Sequence, residues 1–138
     1  MSSSNAFHLQ IISPSSVVLD AYVRQVEIPG SEGYFGVLGQ HAPFFSMLRP
    51  GVIDVHMNDG HHRRFFAASG YADVTPDSCT ILSDHIQDTN DISMREATEA
   101  LVAARESLAT AENEQERVAA QKLIAIAEAL SAAVGKRS

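Results

Sequence analysis

Gly30 to Phe44 reads GSEGYFGVLGQHAPF and sets glycine at 30, 33, 36 and 39, a regular step of three. Three architectures use glycine this way: collagen, a phosphate-binding loop, and a corner of a β-sheet. Collagen needs a long triplet repeat rich in proline, which four glycines interleaved with Tyr34, Phe35, Val37 and Leu38 do not supply. A phosphate loop closes on Gly-Lys-Ser/Thr and opens a helix, whereas this stretch passes through Gln40 and His41 into Pro43. The reading that fits is a sheet corner, where glycine supplies positive φ and lets two backbones approach closely.

On either side of the corner the chain alternates with period two. Phe7, Leu9 and Ile11 recur in FHLQIIS, Val26 and Ile28 in VEIPG, and Val52, Ile53 and Val55 in GVIDVHM. Turn-forming clusters bound these runs (SPSS, IPGSEG, RPG, NDG, TPDS), and Asp59-Gly60 is the strongest hairpin signal. Many short strands at this spacing predict a β-sandwich or barrel.

Composition changes sharply further on. All nine Phe and Tyr residues lie between Phe7 and Tyr71, and from Asp77 to Val134 there is neither glycine nor proline. Ser93-Met94-Arg95-Glu96 fits a capping box and predicts a helix start. Met94, Ala97, Leu101, Ala104, Leu108 and Ala111 then follow at steps of three and four, one stripe of a helix. A second stripe, Leu123, Ile126, Ala127, Leu130 and Val134, comes after the polar TAENEQE, so the expectation is a helical hairpin. TAENEQE holds no obligatory breaker, and one long helix stays open as the alternative. The chain reads as α+β: an antiparallel β-sandwich or flattened barrel over residues 1–87, then a two-helix hairpin over 88–138. Thirteen alanines between Met94 and Val134 bring the helices close but bury little area, about 0.8 kcal/mol per methyl against roughly 1–2 kcal/mol to order each backbone residue. Such a hairpin needs a docking surface, and the polar joint Gln87 to Asp91 lets it take more than one position.

Charge and cysteine content narrow the function. A net charge of −7 with only Arg63-Arg64 clustered in the first half argues against nucleic acid. The single Cys79 closes no internal disulfide and reads as a small core residue. No apolar stretch has the length of a spanning helix, and Met1 to Asn5 lacks a basic start and apolar run. The expectation is a soluble bacterial chain that meets a membrane only through a partner. Among six histidines, His56, His61 and His62 flank the Asp59-Gly60 turn, but His61 and His62 fall on opposite faces of a strand and no cysteine or carboxylate spacing completes a site. A solvated hairpin tip is the simpler reading, and a small sandwich enzyme or metal-binding module on these three residues is the alternative function. No Gly-x-Ser-x-Gly elbow occurs, and Asp73 and Asp84 read as solvated edges rather than an acid/base pair.

FHLQIISPSSVVLD, VEIPGSEGYFGVLGQHAPFFSMLRPGVIDV and FFAASGYADVTPDSCTILSD, in that order, resemble the epsilon-subunit family of F-type ATP synthases. The most specific piece is Gly33-x-x-Gly36-Val37-Leu38 followed by His41-Ala42-Pro43 and Leu48-x-Pro50-Gly51. The resemblance implies a non-catalytic protein without cofactor, whose sandwich grips the rotating gamma subunit and rests on the ring of c subunits. Its place would be the cytoplasmic face of the bacterial inner membrane. A joint that holds under torque calls for an extensive contact, on the order of 2,000 Å². Carried over position by position, the resemblance puts ring contact at Glu32, Tyr34 and His41, and gamma contact at Ser13, Phe44, Phe45 and Ser46. Tyr34 stands where the family usually has an acid, and Gly39-Gln40 replaces its usual Pro-Gly or Pro-Asn. The hairpin would reach the alpha and beta subunits and inhibit ATP hydrolysis, retracting when ATP binds Ile/Leu-Asp-x-x-Arg-Ala. The corresponding stretch here, Ile92-Ser93-Met94-Arg95-Glu96-Ala97, has serine for the aspartate and the arginine one place early, about 100° round a helix. With six Lys/Arg against eight Asp/Glu from Asp91 to Ser138, the expected inhibition is weak or absent.

Overall fold

The computed structural model describes residues 5–135. Most of the targeting reading of Met1 to Asn5, and the basic Lys136 and Arg137, lie outside them. Nine strands are formed among the described residues: β1 Phe7–Ser13, β2 Ser16–Gly30, β3 Gly33–Leu38, β4 Phe44–Met47, β5 Gly51–Met57, β6 His62–Ala67, β7 Tyr71–Thr75, β8 Ser78–Leu82 and β9 Ile86–Asp88. They hydrogen-bond in the order β4-β7-β8-β1-β2-β5-β6-β9, with β3 also on β2. Fifteen-residue β2 makes the sandwich possible: it pairs with β1 along its first half and with β3 and β5 along its second. Its register against β5 shifts between Val23 and Gln25, a bulge that bends the strand from one layer to the other.

The alternating residues fill one core. Phe7, Leu9, Ile11, Val26, Ile28, Ile53 and Val55 all lie inside, joined by Phe65, Ala72 and Ile81 from later strands. One pairing departs from the antiparallel expectation: β1 runs parallel to β8. A tight turn can only connect antiparallel neighbours, but β1 and β8 are separated by six intervening strands, so no turn constrains their sense.

At the glycine corner, Gly33 takes φ +130° in the β2–β3 turn, and a Cβ on Gly39 would stand 2.2 Å from the Asn5 carbonyl oxygen. Gly36, in mid-strand, needs neither freedom. The β5–β6 hairpin turns at Asp59-Gly60 as expected, with Gly60 at φ +93°.

Two helices follow, α1 Met94–Ala109 and α2 Glu114–Val134. Ser93 Oγ accepts the Glu96 N–H at 3.0 Å, but Glu96 does not return the bond; its carboxylate takes the Gln87 side-chain amide instead. Asn113 ends the long-helix alternative: extended at φ −154°, its side chain caps α2 by accepting the Glu116 N–H at 2.8 Å. The hairpin docks through a second core in which Ile92, Ala97, Leu130, Ala133 and Val134 meet Val52, Phe66 and Ala68. Val52 therefore leaves the company of Ile53 and Val55 and faces the helices. Met94 and Leu123, expected on the apolar stripes, are exposed. The joint is built rather than loose: β9 ends in a 3-10 turn, Thr89–Asp91, with Thr89 fully buried.

Candidate functional site

Paired residues in a sheet point to the same side. Val17 pairs with Ile12, Ile12 with Leu82, Leu82 with Tyr71, and Tyr71 with Met47, so these five form one row across β2, β1, β8, β7 and β4. Their chain neighbours Ile11, Ile81 and Ala72 are in the core, which turns the row outward. Met47 and Val17 at its ends are 55% and 57% exposed, and the three between them are half-buried. Phe45, 57% exposed, adds to it with its ring 5.3 Å from that of Tyr71. The neighbouring row starts at this Phe45, which pairs with Asp73, and runs on through polar Thr80, Gln10 and Asp20. An apolar strip rimmed by polar groups is what a protein-binding surface requires.

Of the residues expected to meet gamma, Phe45 belongs to the strip and Ser13 sits at its margin, where its hydroxyl bonds to Ser16. Phe44 is exposed on the opposite side of β4, edge-on to Phe35 at 5.1 Å. Ser46 is only 8% exposed and donates to the Met47 carbonyl, so its hydroxyl is spent internally. Sequence reasoning missed Ile12, Val17, Met47, Tyr71 and Leu82. The available signal was the doublets Ile11-Ile12 and Ile81-Leu82, which put apolar side chains on both faces of a strand.

Glu32, Tyr34 and His41 are not brought together. Glu32 and Tyr34 are at the β2–β3 turn, and His41 lies beyond the other end of β3. Glu32 is exposed, with no hydrogen-bond or ion-pair partner among the described residues. Tyr34 Oη accepts the Val52 N–H at 3.2 Å, and the Arg49 guanidinium sits over its ring at 5.2 Å. The His41 ring nitrogens face the carbonyls of Leu38 and Ser78, and the ring packs edge-on against Phe7. On the hairpin, Ile92 is a buried member of the second core, while Arg95 is 87% exposed and paired with Glu99 at 3.2 Å.

The histidines separate as the strand geometry requires. His61 hydrogen-bonds Asp59 through Nδ1 at 2.9 Å, and that bond raises its pKa and lowers that of Asp59. His56 and His62 stand opposite each other on β5 and β6 with rings 4.2 Å apart. The carboxylate thought to be missing is Asp54, two residues before His56 on the same face, with Oδ1 2.9 Å from His62 Nδ1. On the polar face, His8 and Gln10 bond to Asp20 and lower its pKa. Burial, with Asp73 adding to it, pushes the Cys79 thiol up to about 12, so it is a core residue and no nucleophile.

Residues 6–89 match the family model described as ATP synthase, Delta/Epsilon chain, beta-sandwich domain. The ATP synthase epsilon chain of Rhodospirillum rubrum is 40% identical over 124 residues, 90% of this chain and 92% of that one. That of Maricaulis maris is 40% identical over 129 residues, 94% of this chain and 96% of that one. A chain of the cryo-EM structure of the Euglena gracilis mitochondrial ATP synthase superimposes with TM-score 0.84 at 24% identity, covering 94% of this chain and 81% of that one. A chain of the Tetrahymena thermophila enzyme's central stalk and c-ring structure superimposes with TM-score 0.72 at 12% identity, covering 93% and 96%. Likeness along nine-tenths of the chain displaces the alternative of a free-standing sandwich enzyme or metal module on His56, His61 and His62, which the geometry had already divided by turning His61 away to Asp59. From the sheet corner to the docked hairpin, this chain belongs to the ATP synthase epsilon-chain family.

Proposed function

We propose that the chain is a non-catalytic rotor subunit that clasps the gamma subunit with the outer strip of its sandwich and helps transmit torque between proton flow and ATP synthesis. The observation that carries this reading is the row Val17, Ile12, Leu82, Tyr71 and Met47, an apolar strip on an otherwise alternating sheet. Burying it repays about 25 cal/mol per Å² of apolar surface, and Tyr71 and Phe45 supply the aromatic anchors that dominate such contacts. The Euglena structure contains F1 and a c-ring, and the Tetrahymena one a central stalk and c-ring, which agrees with gamma and the c subunits as partners.

Ring contact on this reading belongs to the β2–β3 turn, with Glu32 free to meet polar loops, while Tyr34 and His41 hold the turn and the far end of β3 in shape. Membrane association comes through the complex, at the cytoplasmic face of a bacterial inner membrane; no helix among the described residues is long and apolar enough to cross one. The hairpin, docked on Val52 and Phe66, reaches the alpha and beta subunits only after leaving that core. Arg95 is already paired with Glu99, and the helices carry no excess of basic charge, so inhibition of hydrolysis is weak and ATP is not its trigger.

Co-purification tests the reading. The full chain mixed with a bacterial gamma subunit forms a complex that survives size exclusion; a chain that elutes alone at micromolar concentrations of both contradicts it.

A further inference from the structure

We infer that Asp54, His56 and His62 form a binding site for a single borderline divalent cation such as Zn²⁺ on the β5–β6 hairpin. The donor atoms of the three side chains lie within 4.8 Å of one another. Asp54 and His56 are two residues apart on one strand and so share a face, and His62 is directly across from His56. Tetrahedral zinc with bonds near 2.0–2.1 Å sets its donors about 3.3 Å apart. His62 Nδ1 is 2.9 Å from Asp54 Oδ1, and His56 Nε2 is 4.0 Å from Asp54 Oδ2, a gap that side-chain torsion closes.

The two imidazoles here are poorly served without a cation. His56 Nε2 is buried and has no hydrogen-bond partner among the described residues. His62 Nδ1 faces Asp54 at 2.9 Å and the Arg64 guanidinium at 3.2 Å. One ring nitrogen cannot give a proton to the carboxylate and accept one from the guanidinium at the same time. A cation among the three satisfies Nε2 of His56, Nδ1 of His62 and the carboxylate together. Arg64, with Nε 3.3 Å from Asp54 and its guanidinium 3.2 Å from His62 Nδ1, is the competing charge; its side chain is 24% exposed, and its long stem must carry the guanidinium off both groups for the ion to enter.

Two imidazoles and one carboxylate suit zinc, nickel or copper and disfavour magnesium and calcium, which prefer oxygen donors. A fourth position is available, because His56 and His62 line a cleft of about 550 Å³ together with Asn5, Arg24, Gln25 and Leu38. The bound ion ties β5 to β6 at the end of the sandwich opposite the β2–β3 turn. This assignment is separate from gamma binding and uses different residues from the outer strip.

Isothermal titration of the full, tag-free chain with Zn²⁺ tests it, alongside His56→Ala, His62→Ala and, as the control from the same turn, His61→Ala. One saturable site per chain is expected, with affinity falling about 100-fold or more in His56→Ala and His62→Ala, since loss of even an outer-shell partner costs 10–100-fold, and unchanged in His61→Ala. Co²⁺ added to the unaltered chain gives the intense visible absorption of tetrahedral coordination, a readout that does not depend on any variant folding. No saturable binding, binding that survives loss of both His56 and His62, binding lost with His61, or a weak octahedral Co²⁺ spectrum would each overturn the assignment.

Discussion

The phenol of Tyr34 accepts the backbone N–H of Val52 at 3.2 Å and joins the glycine corner to the strand on which the helical hairpin docks. Tyr34→Phe leaves the ring and its Arg49 contact but strands that N–H. A loss of about 1 kcal/mol is expected, because an unmade bond at a part-buried donor costs its desolvation. Urea unfolding measures it; a midpoint identical to that of the parent would show that the bond carries no stability.

Two cores share one chain, and they need not open together. Leu130→Ala removes a large side chain from the smaller core and should cost about 2–3 kcal/mol, the low end for buried leucine because the helices can settle into the space. Amide exchange is expected to accelerate through α1 and α2 while β1, β2 and β5 keep their protection. Uniform acceleration throughout would mean that sandwich and hairpin form one cooperative unit.

Much of this architecture was legible from alternation and capping, and its gaps have physical causes. Phe7, Leu9 and Ile11 announce a strand because every second residue is apolar, and all three are in the core. The boundary between the helices was written in Asn113-x-x-Glu116, a start signal of the same kind as Ser93-x-x-Glu96, yet it was hidden in a stretch without glycine or proline. The parallel pairing of β1 with β8 has no local signal at all, since nothing between neighbouring residues encodes a contact some seventy positions away. For the same reason the outer strip escaped notice: Val17, Ile12, Leu82, Tyr71 and Met47 become a row only when five strands are laid side by side. Asp54 was overlooked beside His56 and His62 because register, not spacing along the chain, brings the three together.

The Asp59–His61 contact makes the β5–β6 turn sensitive to pH. His61 has its pKa raised by Asp59, so its contribution to stability is complete below the ordinary histidine value of 6.5 and is lost as pH rises through the higher folded value. Asp59, lowered by the same bond, loses its contribution as pH falls below the ordinary carboxylate range. NMR titration of His61 should give a midpoint above that found in Asp59→Asn; equal midpoints would remove the coupling.

Cys79 gives a simple test of the packed sheet. With its thiol pushed up to about 12 by burial, it stays protonated and shielded at pH 8. Alkylation by iodoacetamide is expected to be negligible in the native chain and complete in denaturant. Rapid labelling of the native protein would show that β8 opens to solvent.

If the outer strip is the grip on gamma, Leu82→Asp weakens binding to a gamma subunit, which a titration of the two proteins measures. Leu82 is half-buried at the middle of the row, and its side chain points away from the core, so the chain itself stays folded by circular dichroism. A charge placed under the interface should cost at least about 2 kcal/mol, roughly a 30-fold loss of affinity. Folded Leu82→Asp protein that binds gamma as tightly as the parent would show that gamma is gripped elsewhere.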